Sequence, residues 1–318
     1  MNKYRAVILG SGNIGTDLLI KLLRSQFLEC VAFVGRNLDS PGMRLARSLG
    51  VECSDRSIDY IIERSNEIDL VFDATSAMSH AIHGPILREL NIKAVDLTPA
   101  RIGPMCIPVI NLHHSVMADN VNMVTCGGQA SIPIAYAIGQ TQRKIEWIHV
   151  ASTISAKSAG PATIANLEEY IRTTEHGISQ FSGVDTVKTT LEISKAVPCI
   201  HMHATVYAKV KEPRIKKLCS YLKSVFKKLK SYVPGYELID GPHCVDGLIS
   251  LTVKVKGMGD YLPEYAGNLD IINCAAMAIA EEYAKVFSGD FSQRPHLPQF
   301  PALFSPTDIT QTQEIETI

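Results

Sequence analysis

The sequence predicts an α/β protein, in which a parallel sheet covered by helices on both faces is joined to an inserted α+β domain. Three observations lead there. A glycine-rich turn separates the first apolar, β-rich run from the first helical run, apolar strand runs then alternate with helical stretches to about residue 125, and the texture changes beyond about residue 150. At 318 residues and 46% hydrophobic content the chain can fill two cores rather than one.

The first strand is read over Tyr4–Leu9 and the first helix from the recurrence of Ile14, Leu18, Leu19 and Leu22. Further strands are expected at Cys30–Val34, Leu70–Phe72, Ala94–Leu97 and Asn122–Thr125, with a helix at Pro41–Leu49. A small-residue stretch follows at Ala151–Ala165, then a helix from about Asn166 and strands at His201–Val210 and Leu248–Lys256. Pro263–Phe287 places Leu269, Ile272, Ala276, Ile279, Ala280 and Tyr283 on one helical face, which would return to the first domain. The expected division is 1–125 with 268–287 as a dinucleotide-binding (Rossmann) domain, 126–267 as a catalytic and dimerisation domain, and 288–318 as a flexible tail.

Lys and Arg number 31 against 32 Asp and Glu, a net charge of -1 that favours neither nucleic acid nor an acidic membrane as partner. The eight cysteines form no CxxC pair, so neither a zinc site nor a disulfide framework is indicated. The apolar run Ala6–Leu9 is too short for a signal peptide or a membrane span, and a cytoplasmic protein is expected.

Gly10-Ser11-Gly12-Asn13-Ile14-Gly15 follows a strand and opens a helix, the context in which G-x-G-x-x-G binds a dinucleotide. Gly10 permits the tight turn, Gly12 lets backbone N–H groups reach a pyrophosphate, and Gly15 lets helix and strand pack closely. After the second strand, where an acidic residue commonly meets the ribose, the chain reads Gly35-Arg36-Asn37. Arg36 could receive a 2′-phosphate or stack on adenine, so NAD and NADP both stay open.

A second pattern, Thr125-Cys126-Gly127-Gly128-Gln129, puts one thiol after a strand and before a helical run from about Ile132. The positive end of a helix and bare N–H groups would lower the pKa of Cys126 and stabilise an oxyanion, as a covalent catalyst requires. The opposing reading is a buried structural cysteine.

The strings Ile8 to Asp17, Val71 to Ser76, Asp96 to Ala100, Asn122 to Gln129, Lys157 to Pro161 and Tyr261 to Ile271 resemble the CoA-acylating acetaldehyde dehydrogenases of meta-cleavage pathways, which serve aromatic hydrocarbon catabolism. The resemblance implies NAD-dependent oxidation of acetaldehyde or another short aldehyde to acyl-CoA, through a thioester on Cys126 and with coenzyme A as co-substrate. It also implies that Ser11, Gly12, Asn13 and Ile14 bind the dinucleotide. Ser158, Ala159, Gly160, Pro161, Ala162, Thr163, Ile164, Ala165 and Asn166 would line the cofactor and acyl region, and Asn268 would meet the nicotinamide end. A homodimer within a larger complex with a 4-hydroxy-2-oxovalerate aldolase is implied as well.

The chain departs from that family at two places. Where the family's string reads Met-Arg-Asp-Thr-Val-Tyr, this one reads Met202-His203-Ala204-Thr205-Val206-Tyr207, and alanine at the base position moves no proton. His201 and His203 would point to the opposite face of a strand from Ala204 and supply no third metal ligand, so no metal is expected. Ile164 stands where the family carries arginine, which leaves room for two rivals: an enzyme for a bulkier acyl thioester, or a cofactor-binding partner of an aldolase with weak chemistry. The basic segment from Lys209 to Lys230 carries an apolar stripe of Ile215, Leu218, Leu222, Val225, Phe226 and Leu229, read as a core-packed helix with a solvated lysine face.

Overall fold

A computed structural model describes residues 3–160, 164 and 167–287. The expected tail 288–318, and Pro161, Ala162, Thr163, Ala165 and Asn166 among the site residues, lie outside the described residues.

The six strands β1 (Tyr4–Leu9), β2 (Leu28–Val34), β3 (Cys53–Ser54), β4 (Leu70–Asp73), β5 (Lys93–Asp96) and β6 (Asn120–Asn122) are all parallel. Their spatial order is β3-β2-β1-β4-β5-β6, so the order reverses between β1 and β4, where open α/β sheets hold their ligands at the carboxyl ends of the strands. Along β1 the period of two sends Ala6 and Ile8 into one hydrophobic cluster, and Val7 and Leu9 into the other, which is why the strand reads as a continuous apolar run. The interstrand helices are α1 (Asn13–Leu23), α2 (Pro41–Ser48), α3 (Ile58–Glu63), α4 (Ala77–Glu89) and α5 (Pro108–Ser115).

After β6 the chain enters α6 (Cys126–Thr141) and a second sheet. Its strands are β7 (Arg143–Ser155), β8 (Val187–Ser194), β9 (Met202–Glu212), β10 (Tyr236–Val245) and β11 (Leu248–Val255), in the order β10-β11-β9-β7-β8. Only β7 and β8 run parallel within it. The helices α7 (Leu167–Ser182) and α8 (Ile215–Tyr232) join α6 on the buried face. On α8 the buried residues are Leu218, Leu222, Val225 and Leu229, the stripe the sequence showed, and the lysines face outward.

Three expectations shift. The strand expected at Asn122–Thr125 is β6 at Asn120–Asn122, since Val124 turns to a positive φ of 62° and Thr125 caps the next helix. Residues Ala151–Ser155 end the thirteen-residue strand β7 rather than opening a separate small-residue stretch, because the charged Arg143, Lys144 and Glu146 at its exposed start mask its alternation. The helix expected from Ile132 begins six residues earlier, at Cys126. Gly127, Gly128 and Pro133 depress helix propensity over this stretch, and tertiary packing overrides it, since every residue from Cys126 to Ile138 is buried.

The last helix, α9 (Gly267–Phe287), returns to the first sheet and packs along α1. A buried charge knot fixes it there. Lys21 Nζ lies 2.7 Å from Asp17, 2.9 Å from Asp260 and 2.6 Å from Asp270, with all four side chains under 10% exposed. Burial works against the ammonium, yet the Asp17 and Asp270 carboxylates hold its pKa above the ordinary lysine value. The three carboxylates, whose ligand atoms lie within 4.8 Å of one another, thus already have their cation. Asn273 adds hydrogen bonds to Asp17 Oδ2 at 2.8 Å and to the Ile14 carbonyl at 3.0 Å. Lys21→Ala removes the cation shared by buried Asp17 and Asp270, while Asp260 keeps Arg24 at 2.7 Å, and is expected to cost about 3–5 kcal/mol, read as a fall in the urea midpoint of unfolding; an unmoved midpoint would refute the knot's role.

Candidate active site

The glycine turn stands at the point where the strand order reverses. Gly10 has φ of 122°, and a Cβ there would meet the Ala74 carbonyl oxygen at 2.5 Å, so the turn closes against the end of β4 only with glycine. A Cβ on Gly15 would strike the Gly10 carbonyl at 1.9 Å. Gly12, by contrast, faces open space with nothing within 4 Å of its Cβ position, and as N-cap of α1 it offers no side-chain bond to the first-turn N–H groups. An uncapped helix end behind an open glycine suits a pyrophosphate.

The adenosine side of the cleft is built from neighbouring loops. Ser11 Oγ lies 3.1 Å from Ser40 Oγ, and Ser40 caps α2 by accepting from Met43 N at 3.3 Å. Arg36 is exposed just beyond β2, and Asn37 closes the loop by accepting from Asp39 N at 2.8 Å. On the far side, Asn268 at the start of α9 donates through Nδ2 to the Ser158 carbonyl at 3.4 Å. Its Oδ1 is buried without a partner among the described residues, and Ser158 and Ala159 are buried beside it, with Gly160 half-buried. Through Asn273 the same helix touches Ile14, so α9 carries one wall from the glycine turn to Ser158. The open glycine, the free N–H groups and the orphaned amide oxygen fit a dinucleotide. Ile164 is 58% exposed.

Cys126 lies four residues past the end of β6. Gly10 follows β1, so the two sites are separated by three strand spacings, about 14 Å at roughly 4.8 Å per strand. The intervening turn is held by side chains. Val124 sits at φ of 62°, a left-handed conformation that a β-branched residue adopts at a cost of about 1–3 kcal/mol. Buried Asn122 holds it: Oδ1 accepts from Val124 N at 2.9 Å, and Nδ2 donates to Asp96 at 2.7 Å and to the Thr98 carbonyl at 2.9 Å. Thr125 then caps α6, accepting from Gly128 N at 2.8 Å, and its hydroxyl pairs with Thr174 at 2.7 Å.

Among the described residues the side chain that hydrogen-bonds the thiol is Tyr170, from α7. Its hydroxyl is 3.5 Å from Cys126 Sγ and accepts from Gly127 N at 2.9 Å. A Cβ on Gly127 would reach that hydroxyl at 2.2 Å, so only glycine admits the tyrosine. The lowered thiol pKa expected from the helix end is not found. Burial dominates and raises it, while the Tyr170 hydroxyl and the N–H groups of Gly127 and Cys126 offset only part of the effect.

Ala204 lies on the buried face of β9, directly opposite Ser152 on β7, whose hydroxyl is buried and unpartnered next to Gly127. His203 is on the other face, as the strand period requires, and His201 bonds the Glu264 carbonyl at 3.0 Å. Neither histidine takes the place left by Ala204.

Beneath the site lies a buried network that motif reading did not anticipate. Asp73 meets His80 at 2.9 Å and His83 at 2.8 Å, and His80 Nε2 lies 2.9 Å from Asn120 and 3.6 Å from Asp96. Burial would raise Asp73, but the two imidazoles hold it well below the usual carboxylate range; Asp96, which has weaker compensation for its burial, is pushed up to about 6. An aspartate ending each of two adjacent parallel strands was the available signal. Tyr170 left none, being one apolar position on an amphipathic helix.

Residues 126–263 match a family model described as prokaryotic acetaldehyde dehydrogenase, dimerisation. An acetaldehyde dehydrogenase of Spirochaeta aurantia is 58% identical over 281 residues, covering 88% of this chain and 95% of that protein. Proteins of the same description from Pectobacterium atrosepticum and Burkholderia thailandensis are 51% and 44% identical, each over 88% of this chain and 95% and 94% of theirs. Among solved structures, aspartate semialdehyde dehydrogenase II of Vibrio cholerae, complexed with ASA, superposes with a TM-score of 0.61 at 14% identity over 92% of this chain and all of that one, a likeness of fold alone. Fold, site and relatives together define a two-domain oxidoreductase acting on an aldehyde group. The chain belongs to the acetaldehyde dehydrogenase family.

Burial of the thiol predicts that iodoacetamide labels Cys126, read on its own peptide by mass spectrometry, with a pH midpoint above that of an ordinary cysteine. A midpoint below the ordinary value would contradict the dominance of burial.

Proposed function

We propose that the chain oxidises acetaldehyde or another short aldehyde to the acyl-CoA through a thioester on Cys126. The observation that carries the reading is the placement of one buried thiol at the N-terminus of α6, on the same carboxyl edge of the sheet as the open glycine turn. Sγ adds to the carbonyl carbon, and the positive end of the α6 dipole lies toward the charge that develops on the carbonyl oxygen, the Gly127 and Gly128 N–H groups being already bonded to Tyr170 and Thr125. A nicotinamide dinucleotide, held by Gly10 to Gly15 with Asn268 toward its nicotinamide end, supplies the hydride acceptor. The acyl group then rests on Cys126 as a thioester until the thiol of coenzyme A displaces it, so one oxidation is divided into two easier steps. Burial around Cys126 keeps water from the thioester in the interval.

NAD is the proposed cofactor, with Arg36 stacking on its adenine or, where NADP binds, meeting the 2′-phosphate. The assay follows NADH with acetaldehyde, NAD and coenzyme A, and repeats it with NADP. Activity is expected to vanish in Cys126→Ala. Retention of NADH formation in that variant would remove Cys126 from the chemistry, and absence of NADH with every short aldehyde would refute the reaction.

The same reading makes the outer face of the second sheet the homodimer surface. Trp147, His149 and Thr153 of β7, Thr205 and Tyr207 of β9, and Thr252 of β11 are half-buried there, and among the described residues no helix packs over them. His149 stacks on Tyr207 at 5.9 Å between centroids, and the Thr205 and Thr252 hydroxyls bond at 3.0 Å, so the surface is pre-ordered. Tyr207→Asp is expected to shift the chain from dimer to monomer in light scattering, and a dimer that persists would place the interface elsewhere.

A further inference from the structure

Resting on the assignment of Cys126 as nucleophile, we infer that Tyr170 is a second catalytic residue, whose hydroxyl carries the proton between the thiol and the aldehyde oxygen. Tyr170 Oη, at 3.5 Å, is the one side-chain hydrogen-bond partner of Sγ among the described residues, and no carboxylate, imidazole or ammonium acts on the thiol there. On the sheet face next to Gly127, β7 and β9 present Ser152 and Ala204, neither of which titrates near neutrality.

The hydroxyl is also built into place. Gly127 N donates to Oη at 2.9 Å, and the missing Cβ of Gly127 is what makes room for it. From the backbone side, Thr174 donates to the Tyr170 carbonyl at 2.7 Å and pairs with Thr125, the cap of α6, so the tyrosine and the helix bearing the thiol move together. With one lone pair engaged by Gly127 N–H, Oη keeps one acceptor site and one proton.

Those are the requirements of a relay. As the S–C bond forms, the carbonyl π pair moves to oxygen; the thiol proton passes to Oη, and the proton of Oη passes to that oxygen. Tyrosine ends as it began, and no net charge is created. This suits a site where burial raises both the thiol and the phenol, since neither anion is favoured at rest.

Tyr170→Phe keeps the ring and removes the hydroxyl. Two readouts are needed. Iodoacetamide labelling of Cys126 in the intact chain requires no aldehyde, cofactor or turnover, so it tests the Tyr170–Cys126 pairing even if the proposed reaction fails. Loss of a hydrogen bond to the thiolate is expected to raise the labelling midpoint by about one pH unit. The kcat for aldehyde oxidation is expected to fall about 100-fold with little change in KM. An unmoved labelling profile, or a shifted profile with unchanged kcat, overturns the assignment. Should Tyr170→Phe not fold, 3-fluorotyrosine at position 170 keeps the shape and acidifies the phenol; it is expected to displace the kcat profile toward lower pH, and an unmoved profile overturns the assignment equally.

Discussion

The site depends on one constraint, the left-handed turn at Val124 between the last parallel strand and α6. An ordinary extended residue there would carry the chain past the sheet edge, and α6 would not begin at Cys126. The strain of about 1–3 kcal/mol in a β-branched residue needs compensation. Asn122 offers it through three hydrogen bonds, each worth about 1 kcal/mol net, more where the acceptor is the Asp96 carboxylate. Asp96 is in turn tied to His80 and Asp73, so the geometry of Cys126 is anchored to the carboxyl ends of β4 and β5 as much as to β6.

The same economy of placement explains α9. A helix that enters from the second sheet would be free to slide along α1 if apolar contact alone held it. Lys21 removes that freedom, because its three carboxylate partners come from α1, from the segment before α9 and from α9 itself. Sliding by one turn would separate buried charges. Asn268 and Asn273 are thereby set at a defined distance, the one beside Ser158 and the other beside Ile14. The charge knot thus positions both ends of the cofactor cleft without touching it.

Much of this architecture was legible in the residues because it follows from backbone requirements. Glycine at positions 10 and 15 is dictated by carbonyl oxygens that any Cβ would strike, so the turn could be read before the fold was known. The buried strands of the first sheet announced themselves as apolar runs. What stayed hidden depends on long-range packing. The start of α6 was misplaced because Gly127 and Gly128 argue locally against a helix, although Gly127 is required by a tyrosine 43 residues away. The thiol pKa was misjudged for a related reason. A helix end is visible in sequence, whereas the desolvation that outweighs it is a property of α7 and the second sheet closing over Cys126.

That desolvation sets opposing demands on the site. In the proposed reaction a thioester must survive until its acyl group is transferred, which favours a dry pocket, while the thiol must shed its proton, which a dry pocket opposes. An ionised partner such as a carboxylate would ease the proton's departure only at the further cost of burying its own charge beside Ser152 and Ala204. A hydroxyl held by a backbone N–H avoids that cost, since it remains neutral and offers both a donor and an acceptor. Under this balance, alanine at position 204 is compatible with the proposed catalysis, since the Tyr170 hydroxyl already offers a donor and an acceptor beside the thiol.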